Sequence, residues 1–373
     1  FIAMGLFSGE AGVSRNIYDT LSKWLGQIKG GLGLATVAGC TVFGTLTGSS
    51  IATSIVFAKV SVPEMKRHGY DAKLAYGLVA SGGAIGMMIP PSLLAVIYAL
   101  ITEQSVGQLL MGGIGPGLIL ALCLGGGLIL LLTLRPSLGP STRISGVTWR
   151  ERFISLPRLW PALVIGLIVI GGIYLGVFTV TEAAGIGTFV LFILYLATRG
   201  FSRQSWGVLA NCLRETVSLS VMVLFLLASA RVFARLLVLS GLAPMMTGFI
   251  INMDLSGVQL VIVATAMYFV LGTFMDSVSI LAITIPLLYP VVLSMGLDTI
   301  WFAMVMILAT QIGNITPPVG LNIYAVKGVA GDDISLGDLF RGVLPFFFFM
   351  VVAQVIVIAF PVISTWIPYH IWG

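Results

Sequence analysis

The sequence predicts an all-α, polytopic membrane protein built from two inverted-topology repeats. Each repeat holds a re-entrant helical hairpin and a broken transmembrane helix. Three observations predict this. The 373-residue chain is 58% hydrophobic and 9% charged, with mean hydropathy +1.08, where ordinary globular chains carry about 25% charged residues. Apolar runs long enough for a bilayer core of about 30 Å recur from end to end, without the alternation of a barrel strand. Two motifs rich in helix breakers return at a fixed offset. GTLTGSS, from Gly44 to Ser50, is answered by GTFMDS, from Gly272 to Ser277, and GMMIPPS, from Gly86 to Ser92, by GNITPPV, from Gly313 to Val319. Gly44 and Gly272 lie 228 residues apart, Asp71 and Asp298 227, Pro90 and Pro317 227, and Pro116 and Pro345 229.

In chain order, residues 1–8 read as the end of a helix. Whole spans precede the second repeat, so one or two spans are expected before Phe1. Segment 12–30 is amphipathic, with Ile17, Leu21, Trp24, Leu25 and Ile28 opposite Arg15, Asp19 and Lys23, and is expected to lie flat as an interfacial arm. Segment 32–60 is flanked by Lys29 and Lys59 and followed by Lys66, Arg67 and Lys73. Basic residues at both ends place both on one side, so this is a re-entrant hairpin with its tip at Gly48, Ser49 and Ser50. Segment 74–101 is a span interrupted at 87–92, and 106–134 is a continuous span. Residues 135–158 form a loop with five arginines and one glutamate. Spans 159–178 and 183–198 are joined by a turn at 179–182. A basic loop at 199–214 leads into span 215–239. Residues 241–257 take the place of a second arm, 258–290 form the second hairpin, 299–327 the second interrupted span, and 339–366 the last span. The chain divides into units 1–31, 32–105, 106–257, 258–328 and 329–373, the second and fourth each pairing a hairpin with a broken helix.

Threading these spans through a membrane puts 17 of the 19 Lys and Arg on the cytoplasmic side, as the positive-inside rule requires. Arg231 and Arg235 remain within a span, four apart on one helix face; they either pair with a substrate carboxylate or, near the span's outer end, snorkel to the interface, which is the simpler reading. Five crossings separate the hairpins, so the second repeat is inverted. The first hairpin enters from the cytoplasm and the second from outside.

Composition excludes several functions. A net charge of +5 reflects basic cytoplasmic loops and implies no nucleic-acid partner. Cys40, Cys123 and Cys212 stand singly, and only His68 and His370 are present, so neither a disulfide framework nor a His/Cys metal site is expected. There is no phosphate-binding GxxxxGK[ST] loop and no nucleophile–base constellation. The chain reads as a non-enzyme without a resident cofactor.

The interruptions carry the chemistry. Each leaves backbone N–H and C=O groups that lipid cannot satisfy. Facing one another at mid-depth, carbonyls and hydroxyls replace the hydration shell of a cation, while helix N-termini attract an anionic group. The residues fit: Thr45, Thr47, Ser49, Ser50 and Thr53 in the first hairpin, and Thr273, Asp276, Ser277 and Ser279 in the second. Asn314, Thr316 and Asn322 follow in the second broken span. Neutral oxygens with one carboxylate favour sodium over calcium or a transition metal. Small residues also serve plain helix packing. A matched pair of interruptions, repeated, argues against packing alone. Asp276 either serves the site or caps its helix. Asp332 and Asp333 read as a solvated turn.

GTLTGSS with PEMKRHGYD, from Pro63 to Asp71, and IPPS, from Ile89 to Ser92, resembles the large membrane subunit of tripartite ATP-independent periplasmic (TRAP) transporters. GTFMD from Gly272 to Asp276 and ITPP from Ile315 to Pro318 carry the resemblance into the second half, so that it runs from Phe1 to about residue 360. It implies a sodium-driven importer of the bacterial or archaeal cytoplasmic (inner) membrane, working by an elevator mechanism. It implies a small carboxylate substrate, such as a dicarboxylate or a sialic acid, received from a soluble periplasmic binding protein. A small four-helix membrane subunit is the other implied partner. By the family's architecture, one sodium lies between Ser49, Ser50 and the loop from Gly86 to Pro90. Another lies between Gly272, Thr273, Asp276 and the stretch Gly313, Asn314, Pro317. Substrate lies between the tips, near Thr45, Thr47, Ser92, Thr316 and Asn322. A stand-alone sodium-coupled anion carrier with the same hairpins is the alternative, and a non-transporting scaffold or assembly subunit the distant one.

Overall fold

The computed structural model describes residues 1–139, 147–200, 202–242, 245, 248 and 255–372. Among them every regular element is a helix. Six helices are long and apolar enough to cross a membrane: Val106–Leu134, Trp149–Tyr174, Val180–Arg199, Ser205–Leu239, Ser277–Ser294 and Leu336–Ala359. Ala72–Met88 and Leu93–Thr102 form a further span, bent by 43° at its break.

The first hairpin consists of Gly31–Thr47 and Ser50–Val60. Its threonines suit an apolar helix because their hydroxyls donate back to carbonyls one turn earlier, Thr36 to Leu32 and Thr41 to Val37, both at 2.9 Å. The chain reverses at Gly48, whose φ of +57° favours glycine and whose Cβ, if present, would sit 2.0 Å from the Pro91 carbonyl oxygen. Ser49 is extended, and its Oγ accepts the Ala52 N–H, as an N-cap should. The second hairpin, Gly257–Gly272 and Ser277–Ser294, begins at a Ser256–Gln259 capping box and restarts at the Asp276 N-cap.

The first broken span runs through Ala72–Gly82 and Ile85–Met88, breaks, and resumes as Leu93–Thr102. The second runs through Thr299–Gly313 and resumes as Leu321–Ala330. Both breaks contain a cis Pro–Pro peptide, Pro90–Pro91 and Pro317–Pro318. The first helix of each hairpin lies on the pre-break helix that follows it. The second crosses over: Ser50–Val60 packs on Leu321–Ala330, and Ser277–Ser294 on Leu93–Thr102. Every residue from Ile300 to Gly313 is buried, so this pre-break helix is the centre of the core.

Charged loops sort to opposite ends. At one end Lys66 pairs with Asp333 at 2.5 Å and Lys73 with Asp338 at 2.8 Å, joining the two loops assigned to the cytoplasm. At the other, Gln104 bonds Thr299 and the Tyr369 hydroxyl donates to Asp298. Arg231 lies 4.0 Å from Glu103 there, both exposed.

Several expectations are corrected. The arm helix ends at Leu25, so Ile28 falls outside it and is 48% exposed. Trp149–Ser155, expected within a loop, is helical behind a Thr148–Glu151 capping box. The basic loop expected at 199–214 is mostly the start of one 37-residue helix, Arg203–Leu239. At 1.5 Å per residue it is about 55 Å long and outreaches a bilayer. The last span stops at Ala359 and a separate helix, Val362–Trp372, follows Pro361, because proline cannot continue the ladder. Asp332 and Asp333 do lie in an exposed turn, and Asp333 there is tied to Lys66 and Tyr76. The second arm, 241–257, lies largely outside the described residues.

Candidate functional site

Both hairpin tips and both breaks open on one cavity of about 300 Å³. Thr47, Gly48, Ser49 and Ser50 line it from the first tip, and Asp276, Ser277 and Val278 from the second. Met87 and Asn314 face it from the ends of the pre-break helices, and Leu93 and Leu321 from the starts of the post-break helices. Four helix N-termini thus converge here, at Ser50, Leu93, Ser277 and Leu321. Ile51, Ala52, Ile55 and Leu94 add apolar surface, and the remaining wall is Phe1, Ile2, Gly5 and Leu6 together with one face of the long helix, Glu215, Leu219, Met222 and Val223. No Lys, Arg or His lines the cavity among the described residues.

The first tip is satisfied internally. Thr47 and Thr53 share a hydrogen bond of 2.9 Å, Thr53 Oγ1 donates to the Ser49 carbonyl at 2.8 Å, and Ser50 Oγ donates to Asn322 Oδ1 at 3.3 Å. Asn322, fully buried, also reaches the Ala80 carbonyl at 3.4 Å, so it joins the two halves. Gly86 packs so closely that a Cβ there would lie 2.7 Å from Thr53 Oγ1.

The second tip differs. Asn314 Nδ2 donates to Ser277 Oγ at 2.6 Å and Gln311 Nε2 to the same oxygen at 3.3 Å. Among the described residues, Gln311 Oε1 and Asn314 Oδ1 have no hydrogen-bond partner, although both side chains are buried. Buried acceptors are nearly always paired with protein, water or an ion. A hydroxyl and two free amide oxygens are hard, neutral donors of the kind an alkali cation takes. Asp276 Oδ1 accepts the Val278 and Ser279 N–H groups at 3.0 and 3.1 Å, and its Oδ2 accepts the Ser279 hydroxyl. The carboxylate is occupied as a helix cap.

Of the residues expected from sequence, Thr47, Ser49, Ser50, Asp276 and Asn314 line the cavity, whereas Gly86, Gly272 and Gly313 do not line it and instead pack tip against break, Gly86 on Gly44 and Gly272 on Gly313. Asn322 braces the first tip from below. The others go elsewhere. Thr45 faces the helix Trp160–Gly166 and bonds Val42. Ser92 caps its own helix and bonds the Met87 carbonyl. Thr273 and Thr316 donate to Val270 and Ile312 within their own chain turns. Pro90 belongs to the break without lining the cavity, and Pro317 is exposed. Sequence reasoning missed Gln311 and Glu215. Gln311 is the only amide in the run from Thr299 to Gly313 and sits one turn before Asn314, which was signal enough.

Helix breaks gathered around one cavity, inside a bundle of membrane-crossing helices, define a multi-pass membrane permease. Residues 1–363 match the family described as tripartite ATP-independent periplasmic transporter, DctM component, and the chain belongs to that family. It is 32% identical to the C4-dicarboxylate TRAP transporter large permease protein DctM of Pseudomonas aeruginosa, over 99% of this chain and 84% of that one. It is 29% identical to the sialic acid TRAP transporter large permease protein SiaM of Vibrio cholerae, over 99% and 84%. Among solved structures, the YdaH transporter of Alcanivorax borkumensis shares the fold with a TM-score of 0.65 at 14% identity, over 97% of this chain and 85% of that one. The chain is therefore a large permease component of a TRAP transporter and not an enzyme.

Proposed function

We propose that this permease imports a small carboxylate across the bacterial or archaeal inner membrane, driven by sodium and supplied by a periplasmic binding protein. The convergence of four helix N-termini on one cavity carries this reading. The Asp276 carboxylate already caps one of them; the other three carry neutral caps and each contributes roughly half a positive charge, so they offer an anion a partner without any basic side chain. Sodium is assigned first to the second tip, through Gln311, Asn314 and Ser277, because its two free amide oxygens need a partner. The first tip, around Ser49, Ser50 and Gly86, is the second candidate.

Units 32–105 and 258–328 form the moving body in this reading. They slide as an elevator against helices 1–10, 160–199 and 203–239, carrying the cavity past the fixed face that holds Glu215. The two repeats have opposite topology, and the Lys66–Asp333 end faces the cytoplasm. A small four-helix membrane subunit completes the system, as the tripartite family implies.

Uptake into liposomes containing this chain and its small partner tests the proposal, under an inward sodium gradient, with and without a loaded binding protein. Uptake that requires both sodium and the binding protein is expected. Uptake with sodium alone would make the protein a stand-alone carrier. Uptake indifferent to sodium would remove the ion assignment.

A further inference from the structure

The helix Trp149–Ser155 has its amphipathicity turned outwards. Trp149 is 66% exposed, Phe153 57% and Ile154 58%, with Trp160 at 50% just beyond, whereas Arg152 is only 7% exposed. The helix is held rigidly. Thr20 Oγ1 donates to the Ser155 carbonyl at 3.2 Å, Gln27 Nε2 to the Val147 carbonyl at 3.3 Å, and Trp24 stands edge-on to Trp149 and Phe153. The arm helix Val13–Leu25 and this helix therefore form one unit.

Its charges are not balanced from within. The Arg152 guanidinium lies over the Trp149 ring at 4.7 Å, and no acidic side chain pairs with it among the described residues. Its Nε, like the Trp24 indole Nε1, is buried without an acceptor among the described residues. A buried cation without an anion is costly. Arg150 and Arg158 are exposed on the same short stretch. Glu151 is the one acid there, and its carboxylate is spent on the Thr148 cap. Exposed aromatics beside unpaired arginines match a membrane interface, where Trp and Phe enter the lipid and basic groups meet anionic headgroups.

We propose that this arm–helix unit binds an anionic phospholipid, whose phosphate supplies the counter-charge at Arg150, Arg152 and Arg158 while its chains cover Trp149 and Phe153. An apolar protein face would cover the aromatics but bring no anion to the buried Arg152, whereas a lipid phosphate supplies one beside the exposed Arg150 and Arg158, which is why lipid is favoured over a protein partner.

Native mass spectrometry of the purified permease, titrated with phosphatidylglycerol or phosphatidylcholine, reads the site directly. The native protein should retain phosphatidylglycerol at least fivefold more readily than phosphatidylcholine and melt at a higher temperature with it. Arg150→Gln/Arg158→Gln should lose that preference while keeping its melting temperature in phosphatidylcholine. Trp149→Ala/Phe153→Ala should lose affinity for both lipids. Equal retention of the two lipids by the native protein, or an unchanged preference in the arginine variant, would overturn the proposal. So would crosslinking of a photoreactive residue at Phe153 to the small subunit in place of lipid.

Discussion

Gly272 and Gly313 meet backbone to backbone: a Cβ on either would lie 2.6 Å from the other's Cα. Gly44 repeats the relationship in the first half, where its Cβ would lie 2.5 Å from Gly86 Cα. These contacts bring each hairpin tip against the helix break beside it. A methyl group there must push backbone away from backbone, which costs about 1–3 kcal/mol. Gly272→Ala and Gly313→Ala should each lower sodium-driven uptake at least tenfold. Gly328→Ala, with open space around it, should transport normally. Full activity in Gly313→Ala would show that the close approach is incidental.

Gln311 and Asn314 should set sodium affinity. Removing either amide oxygen, as Gln311→Leu or Asn314→Ala, should raise the half-saturating sodium concentration tenfold or more, equivalent to about 1.4 kcal/mol. Ser50→Ala breaks only a 3.3 Å bond to Asn322 and should shift it less. An unchanged sodium response in both amide variants would sink the assignment to the second tip.

Asp276 separates cap from ligand. Asp276→Asn keeps an N-cap side chain, whereas Asp276→Ala removes one worth about 0.5–2 kcal/mol. Asparagine should therefore leave expression and sodium activation near native, and alanine should reduce both. Loss of sodium activation in Asp276→Asn at native expression would assign the carboxylate to the ion.

Much of this arrangement was legible in the sequence. Gly44, Gly86, Gly272 and Gly313 recur at matched spacing because both halves solve the same close-packing problem, and a repeat exposes itself to comparison within one chain. The destination of individual hydroxyls was not legible. Thr45, Ser92, Thr273 and Thr316 are polar residues near breaks, and each bonds a carbonyl of its own segment. Local side-chain bonding of this kind leaves no mark in composition or spacing. Helix Arg203–Leu239 reads from sequence as loop followed by span because Arg199 and Arg203 on one side and Arg214 and Glu215 on the other bracket its first turns. Charge reports contact with water, and a helix can extend into water.

The Lys66–Asp333 and Lys73–Asp338 pairs predict an acid dependence. Hydrogen bonds from Lys66 and then Tyr76 hold the Asp333 carboxyl below its ordinary value, and one from Lys73 does the same for Asp338. A depressed carboxyl stabilises the folded state above its unfolded pKa and loses that contribution as pH falls through the folded value. Both pairs are thus intact at neutral pH and weaken only below about pH 4. Asp333→Asn/Asp338→Asn should flatten the acid limb of a melting-temperature profile and leave the neutral region almost unchanged, since exposed pairs contribute little. An acid limb identical to native would assign the sensitivity to other carboxylates.

Glu215 gives the last prediction. It shares one face of the long helix with Leu219 and Met222, and that face lines the cavity together with the hairpin tips. An acid facing the path of an anion opposes retention. At roughly 8 Å and an effective dielectric constant of about 40, two like unit charges repel by about 1 kcal/mol, a factor of about five in affinity. In the proposed elevator cycle, with the helix fixed and the tips moving, that repulsion acts only while the cavity lies beside Glu215, so it favours release on that side. Glu215→Gln should lower the half-saturating carboxylate concentration measured from the cytoplasmic face about three- to fivefold. It should also slow maximal turnover, because a better-held anion leaves more slowly. Glu215→Asp should behave as native, which separates charge from packing. If affinity and turnover are both unmoved in Glu215→Gln, the carboxylate is only a solvated rim group, and release depends on the tips alone.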